Sequence, residues 1–193
     1  MNEKKEIIKF FDKNSVNWDL KEKPQTYKIL QKIIKRIKLK SYENVVDVGC
    51  GTGICYPYLK EKFKNYIGID ISPKMIKIAK RKFPEAKFMN KDFEETKLKK
   101  NFFDLVLIFN AFPHFDKTKT VRKVRSILKK RGKLVIAHSF KLNEINKIHK
   151  KTGHKIIKKH IVTVKEIKEL LKSFGFKNIL CDNKKNFYIE AEK

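Results

Sequence analysis

Three glycines, Gly49, Gly51 and Gly53, stand within five residues, directly after the run Asn44-Val45-Val46-Asp47-Val48. A β-branched run ending in a glycine-rich turn, with a helical pattern beyond it, is a strand–loop–helix unit suited to a nucleotide-like ligand. Glycine lets the backbone turn tightly and approach a ligand with no Cβ in the way. Asp70 stands 21 residues after Gly49 (70 − 49), about where an acid binds the two hydroxyls of a ribose. Another acid and an aromatic follow in Asn90-Lys91-Asp92-Phe93. A dinucleotide fingerprint would need a third glycine where Ile54 stands. It also does not usually carry an acid two residues before the first glycine, where this chain has Asp47.

The elements that must hold these residues alternate along the chain. Strand patterns fall at about 44–48, 66–70, 86–89, 103–109 and 133–137, with two last strands at 177–181 and 186–191. Helical patterns fall at about 53–63, from the Ser72 cap and Pro73 to Lys82, at about 117–129, and from the Thr163/Glu166 capping box to near Gly175. The 103–109 strand is almost wholly apolar, as a buried parallel strand should be. Alternating β and α elements predict an open sheet covered on both faces. Ligands of such sheets bind beyond the carboxyl ends of the strands, where strand order reverses. Ahead of this unit, residues 3–13 read as a helix with Ile7, Ile8, Phe10 and Phe11 on one side. Trp18 follows, and Pro24 opens a second helix carrying Ile29, Leu30, Ile33, Ile34 and Ile37. The expected organisation is a helical cap over 1–40 and an α/β unit over 41–193, one domain overall.

The string Val-Asp-Val-Gly-Cys-Gly-Thr-Gly, residues 46–53, resembles the first motif of class I S-adenosylmethionine-dependent methyltransferases. The resemblance runs from about Ser41 to the C-terminus. It is sharpest at 45–53 and 67–72, fair at 90–93 and 103–115, and architectural after Ser139. It implies a Rossmann-like doubly wound sheet of seven strands, six parallel and the last antiparallel. It also implies S-adenosylmethionine as cofactor and S-adenosylhomocysteine as product. By the same resemblance the cofactor site would comprise Asp47, Gly49, Cys50, Gly51 and Gly53, then Asp70 and Ile71, with Asn110 near the methionyl part. Asp92 would accept from the adenine amino group, and Phe93 would border the ring. The helix after the glycines would offer N–H groups and a positive dipole end to the methionyl carboxylate. Each acid also has a plainer reading: Asp70 as a loop carboxylate, Asp92 as a helix cap. The family often closes its pocket with an N-terminal helix, which makes Phe10, Phe11 and Trp18 lid residues here, unless that helix only packs on the sheet edge.

The acceptor is read by subtraction. Asn110-Ala111-Phe112-Pro113-His114-Phe115 lacks the Asn/Asp-Pro-Pro-aromatic motif of base and glutamine amino methylation. No cysteine follows the fourth or fifth strand, where pyrimidine C5 methylation needs its nucleophile. Cys50, Cys55 and Cys181 are not poised for arsenic methylation. Histidines remain: His114 after strand four and His138 at the end of strand five, expected on one rim. His149 lies on a short helix that could fold back over the site, and Phe112 is expected beside the acceptor. Histidine titrates near neutral pH and takes a proton from a hydroxyl, amine or thiol. His114, His138 and His149 could instead hold a metal, or be three polar loop residues with no shared role.

Net charge is +27, from 48 basic and 21 acidic residues. Such charge suggests nucleic acid. Yet only Arg36, Arg81, Arg122, Arg125 and Arg131 are arginine, and the lysines are spread along the chain as an AT-rich genome would write its surface positions. Weak, salt-sensitive polyanion binding is expected. The three cysteines have no Cys-x-x-Cys spacing, and Met1-Asn2-Glu3-Lys4-Lys5-Glu6 lacks the apolar core of a signal peptide, so a cytoplasmic protein is expected. No apolar run approaches the ~18 residues needed to cross a bilayer, so no membrane partner is expected. The reading is a monomeric or homodimeric methyltransferase for a small-molecule acceptor. The alternatives are an RNA or protein methyltransferase steered by the basic surface, and a non-catalytic cofactor- or metal-binding module.

Overall fold

The computed structural model describes residues 3–37, 43–151 and 163–193. Seven strands form one sheet: β1 (Glu43–Val48), β2 (Phe63–Asp70), β3 (Lys87–Asn90), β4 (Phe103–Phe109), β5 (Leu128–His138), β6 (Lys177–Asp182) and β7 (Phe187–Glu192). Their order is β3-β2-β1-β4-β5-β7-β6. β1 runs parallel to β2 and β4, whereas β7 is antiparallel to both β5 and β6. Strand order therefore reverses between β1 and β4, and a crevice opens beyond their carboxyl ends.

Period-two alternation divides the core into two layers. Val46, Val48, Val106, Ile108 and Ile136 face helices α6 (Lys117–Ile127) and α8 (Val164–Ser173), through Val121, Val124, Ile167 and Leu171. Val45, Leu105, Leu107 and Val135 face α3 (Pro24–Arg36), whose Ile29, Leu30, Ile33 and Ile34 supply the opposing apolar stripe. Ile76 and Ala79 of α5 (Pro73–Lys82) join this second layer. Ser72 caps α5 by accepting from Met75 N at 3.1 Å, with Pro73 at the first turn. α7 spans Leu142–Lys151.

Two expected elements differ. The helix expected at 53–63 is only α4, Tyr56–Leu59. Gly49, Gly51 and Gly53 all take left-handed φ values, 70°, 53° and 83°, which unwind the chain into successive turns before α4. The expected helix dipole is correspondingly absent at the crevice, since four residues align too few peptide units. The helix expected at 117–129 stops at Ile127, and β5 begins at Leu128.

α1 (Glu3–Asn14), a 3₁₀ turn (Ser15–Asn17) and α2 (Trp18–Lys21) form a strap laid across the crevice. Inward-facing acids fasten it. Asp12 Oδ1 accepts from Ser72 Oγ at 2.6 Å and from Lys74 N at 3.2 Å. Asp19 accepts from Thr52 Oγ1 at 2.5 Å and Lys82 Nζ at 2.7 Å. Among the described residues no helix is long and apolar enough to cross a membrane.

Candidate functional site

The loop after β1 is tied to the tip of β2. Gly49 N and Cys50 N both donate to Ile69 O, at 2.8 and 3.1 Å. Asp70 Oδ2 accepts from Gly51 N at 2.9 Å and Oδ1 from Ser72 N at 2.8 Å. Burial raises the Asp70 pKa, and these N–H donors pull it back in part. A Cβ on Gly49 would sit 2.5 Å from Ala111 Cβ, so the loop and the chain leaving β4 approach as only glycine allows.

Above these tips lies a cleft with about 920 Å³ of empty space, its mouth included. Its floor is Gly49–Thr52 and Ile54. Ile69–Ile71 and Lys91–Glu94 form one wall, Phe109–Ala111 with His114 and Phe115 the other. The strap roofs it with Lys4, Ile7, Phe11, Trp18 and Glu22. Phe11 meets Trp18 and His114 edge-on, at centroid distances of 5.3 and 5.2 Å.

Of the residues singled out from sequence, the cleft brings together Gly49, Cys50, Gly51, Asp70, Ile71, Asp92, Phe93, Asn110, Phe11, Trp18 and His114. Five others lie outside it. Gly53 turns toward Phe83 and Phe88, where a Cβ would meet Phe88 at 3.0 Å. Phe10, 39% exposed, points away from the cleft. Phe112 and His138 line a second, smaller cavity with Leu142 and Ile145. His114 and His138 therefore do not share a rim: the 3₁₀ turn Phe112–His114 carries His114 across the crevice, while His138 Nδ1 accepts from Phe140 N at 3.1 Å. Asn110 bridges the two strand ends, its Oδ1 accepting from Ser139 N at 2.8 Å. The His149 side chain lies outside the described residues. Among the described residues no cluster of three or more metal-ligating side chains occurs.

Asp47 is the fifth. It is buried beneath the loop, because its place in β1 puts it on the layer facing α3. Tyr66 OH donates to its Oδ2 at 3.0 Å. Burial lifts the carboxyl pKa to about 7, the Asp70 charge adds to this, and the Tyr66 and Cys55 hydrogen bonds oppose it. A folded-state pKa above the unfolded value near 4 stabilises the fold at low pH, and that stability is lost as pH rises through the window from about 4 to about 7. Asp47→Asn keeps the oxygen for Tyr66 and removes the titration. Urea unfolding should show wild type losing stability relative to Asp47→Asn at up to about 1.4 kcal/mol per pH unit across that window. Parallel pH profiles would show that Asp47 does not titrate there.

The sequence reading missed Lys4, Glu22, Thr52, Met75 and Lys91, all of which line the cleft. Lys4 Nζ lies 2.5 Å from Asp92, 3.3 Å from Glu94 and 3.7 Å from Glu95. Burial lowers the Lys4 pKa, but Asp92 and Glu94 outweigh it and hold the ammonium above its usual range. Glu22 is raised by burial and by Asp19, against a hydrogen bond with Thr26. Lys4 and Glu22 stand 42 (46 − 4) and 24 (46 − 22) residues before the first motif, so only the folded strap identifies them.

A methyltransferase-domain family model matches residues 46–136, which spans β1 to β5. An uncharacterized protein of Methanocaldococcus jannaschii is 35% identical over 146 residues, covering 68% of this chain and 60% of that one. The demethylmenaquinone methyltransferase of Thermotoga maritima is 28% identical over 140 residues, covering 69% of this chain and 61% of the enzyme. The chain thus aligns with about three-fifths of the length of these relatives. Among solved structures, a chain from the complex of the Haloferax volcanii Trm112 methyltransferase activator superposes with a TM-score of 0.78. Its identity is 18%, and 94% of this chain and 96% of that chain are covered. A sheet of order 3-2-1-4-5-7-6, with a glycine-floored cleft at its switch point, defines the Rossmann-like methyltransferase class. Over the strands β1 to β5 the chain carries a class I S-adenosylmethionine-dependent methyltransferase domain.

Proposed function

We propose that the chain binds S-adenosylmethionine in this cleft and methylates a small-molecule acceptor, leaving S-adenosylhomocysteine. One observation carries the reading: a floor open to close backbone approach at Gly49–Thr52 meets a half-buried carboxylate, Asp70, that lines the cleft at the tip of the next strand. When bound, the cofactor supplies a methyl group activated by a sulfonium. Gly49, Cys50 and Gly51 would form the floor, Asp70 would accept from ribose hydroxyls, and Ile71 and Phe93 would flank the base. Asp92 would accept from the adenine amino group. Its Oδ2 is shared with Lys4, so the strap and the adenine edge converge on one carboxylate.

Phe11 and Trp18 exclude water from the reacting end, and the small charge dispersal of methyl transfer favours such an apolar wall. His114 is the histidine placed at the cleft, and it would take the acceptor's proton. The small-acceptor reading is supported by a cleft roofed by the strap and by the small-molecule substrate that the Thermotoga maritima relative's name states. His114→Gln should lower turnover about 100-fold with cofactor affinity nearly unchanged, measured by release of S-adenosylhomocysteine. Unchanged turnover would remove His114 from proton transfer. Acceptors are found by incubating the protein and methyl-labelled cofactor with a metabolite extract. Label in RNA or protein instead would overturn the small-molecule reading.

A further inference from the structure

Large apolar side chains exposed on the described surface are few: Phe10 at 39%, Val16 at 80%, Leu20 at 83% and Leu180 at 55%. Three of the four lie on the strap. Val16 and Leu20 flank Trp18, one on the 3₁₀ turn and the other on α2, and both are almost fully exposed. Charge on the strap is equally one-sided. Across residues 4–23 the exposed charged side chains are Lys5, Lys9, Lys13, Lys21 and Lys23, all basic. Three of the four acids turn inward, Asp12 to Ser72, Asp19 to Thr52 and Lys82, and Glu22 into the cleft, while the fourth, Glu6, is half-buried.

We propose that residues 4–23 are a docking face for the surface of an anionic lipid bilayer. Separate apolar tips set among lysines suit a surface that yields around each tip and carries negative headgroups. A folded protein partner would need a contiguous apolar core with a fitted polar rim, and three spaced tips do not form one. The face is held by the body through Asp12 and Asp19 and also roofs the cleft, so docking would set the cleft mouth against the membrane. Among the described residues no helix is long and apolar enough to cross a bilayer, and this face spans nothing. It adsorbs.

Trp18 is the single tryptophan of the chain and lies between Val16 and Leu20, so its fluorescence reports on the strap. The test uses wild type and Val16→Ser/Leu20→Ser with vesicles of phosphatidylglycerol mixed into phosphatidylcholine, some with brominated acyl chains. Both substitutions are at exposed sites and leave the net charge unchanged, and equal thermal unfolding would show the variant folded. Wild type should bind the anionic vesicles, ignore pure phosphatidylcholine, and show quenching by the brominated lipid. The double variant should bind at least about tenfold more weakly, with quenching lost. Equal binding by both proteins would mean that net charge alone adsorbs the chain, and the proposal fails. It fails equally if neither binds, or if the wild type is a dimer that the double variant dissolves. The readout needs neither cofactor nor turnover, so it stands apart from the methyl-transfer reading.

Discussion

Gly49→Ala is expected to destabilise the protein by about 2–4 kcal/mol and to remove measurable affinity for S-adenosylmethionine. Two costs combine. Gly49 has φ of 70°, a left-handed conformation that costs an alanine roughly 1–2 kcal/mol. Its new methyl would also lie 2.5 Å from Ala111 Cβ. Neither side can yield cheaply. Gly49 N is bonded to Ile69 O at 2.8 Å, and Asn110 N, beside Ala111, to Ala137 O at 3.0 Å. Any relief must push the loop into the cleft it floors. The double variant Gly49→Ala/Ala111→Gly separates the two costs. It should recover the steric part of the stability loss but not the conformational part. Urea unfolding with calorimetric titration would measure both, and a Gly49→Ala protein with unchanged stability and affinity would dismiss the close approach as a determinant.

Asp70→Asn is expected to weaken S-adenosylmethionine by about 10- to 100-fold, the equivalent of 1–3 kcal/mol. The carboxylate orders the floor by receiving Gly51 N and Ser72 N on separate oxygens, and it would receive the ribose hydroxyls as well. An amide offers one acceptor oxygen and turns an NH₂ donor on the other N–H group. The loss is therefore part ligand contact and part loop order. Wild-type affinity should also fall on acidification, because burial lets Asp70 take up its proton at higher pH than an ordinary aspartate. Asp70→Asn should lack that fall. Equal affinities would leave Asp70 a structural clamp for the loop.

How far the sequence could be read depended on how local each signal was. The β1 tip, the glycine turn and Asp70 are encoded within a few residues of one another or at a strand end, so alternation and spacing reveal them. The sheet was legible for the same reason, since β4 is apolar but for Asp104 and β5 follows a short helix. α4 was overread at both ends: the left-handed turn at Gly53 delays its start to Tyr56, and it stops at Leu59, shortly before β2 begins at Phe63. Asp47 sits in the motif, yet strand alternation turns its side chain away from the cleft and under the loop. Lys4 and Glu22 left no local trace, because a strap folding back over the sheet decides what they face. His114 and His138 line different cavities, a separation that a local 3₁₀ turn at Phe112–His114 sets and that strand adjacency alone does not reveal.

The central claim is that the glycine floor and Asp70 form a nucleoside site for S-adenosylmethionine. Titrating the protein calorimetrically with S-adenosylmethionine, S-adenosylhomocysteine and NAD tests it most directly. Saturable one-site binding of the first two, weakened by Asp70→Asn and lost in Gly49→Ala, with no heat from NAD, is the predicted result. Binding of NAD instead, or S-adenosylmethionine binding indifferent to both substitutions, would contradict it.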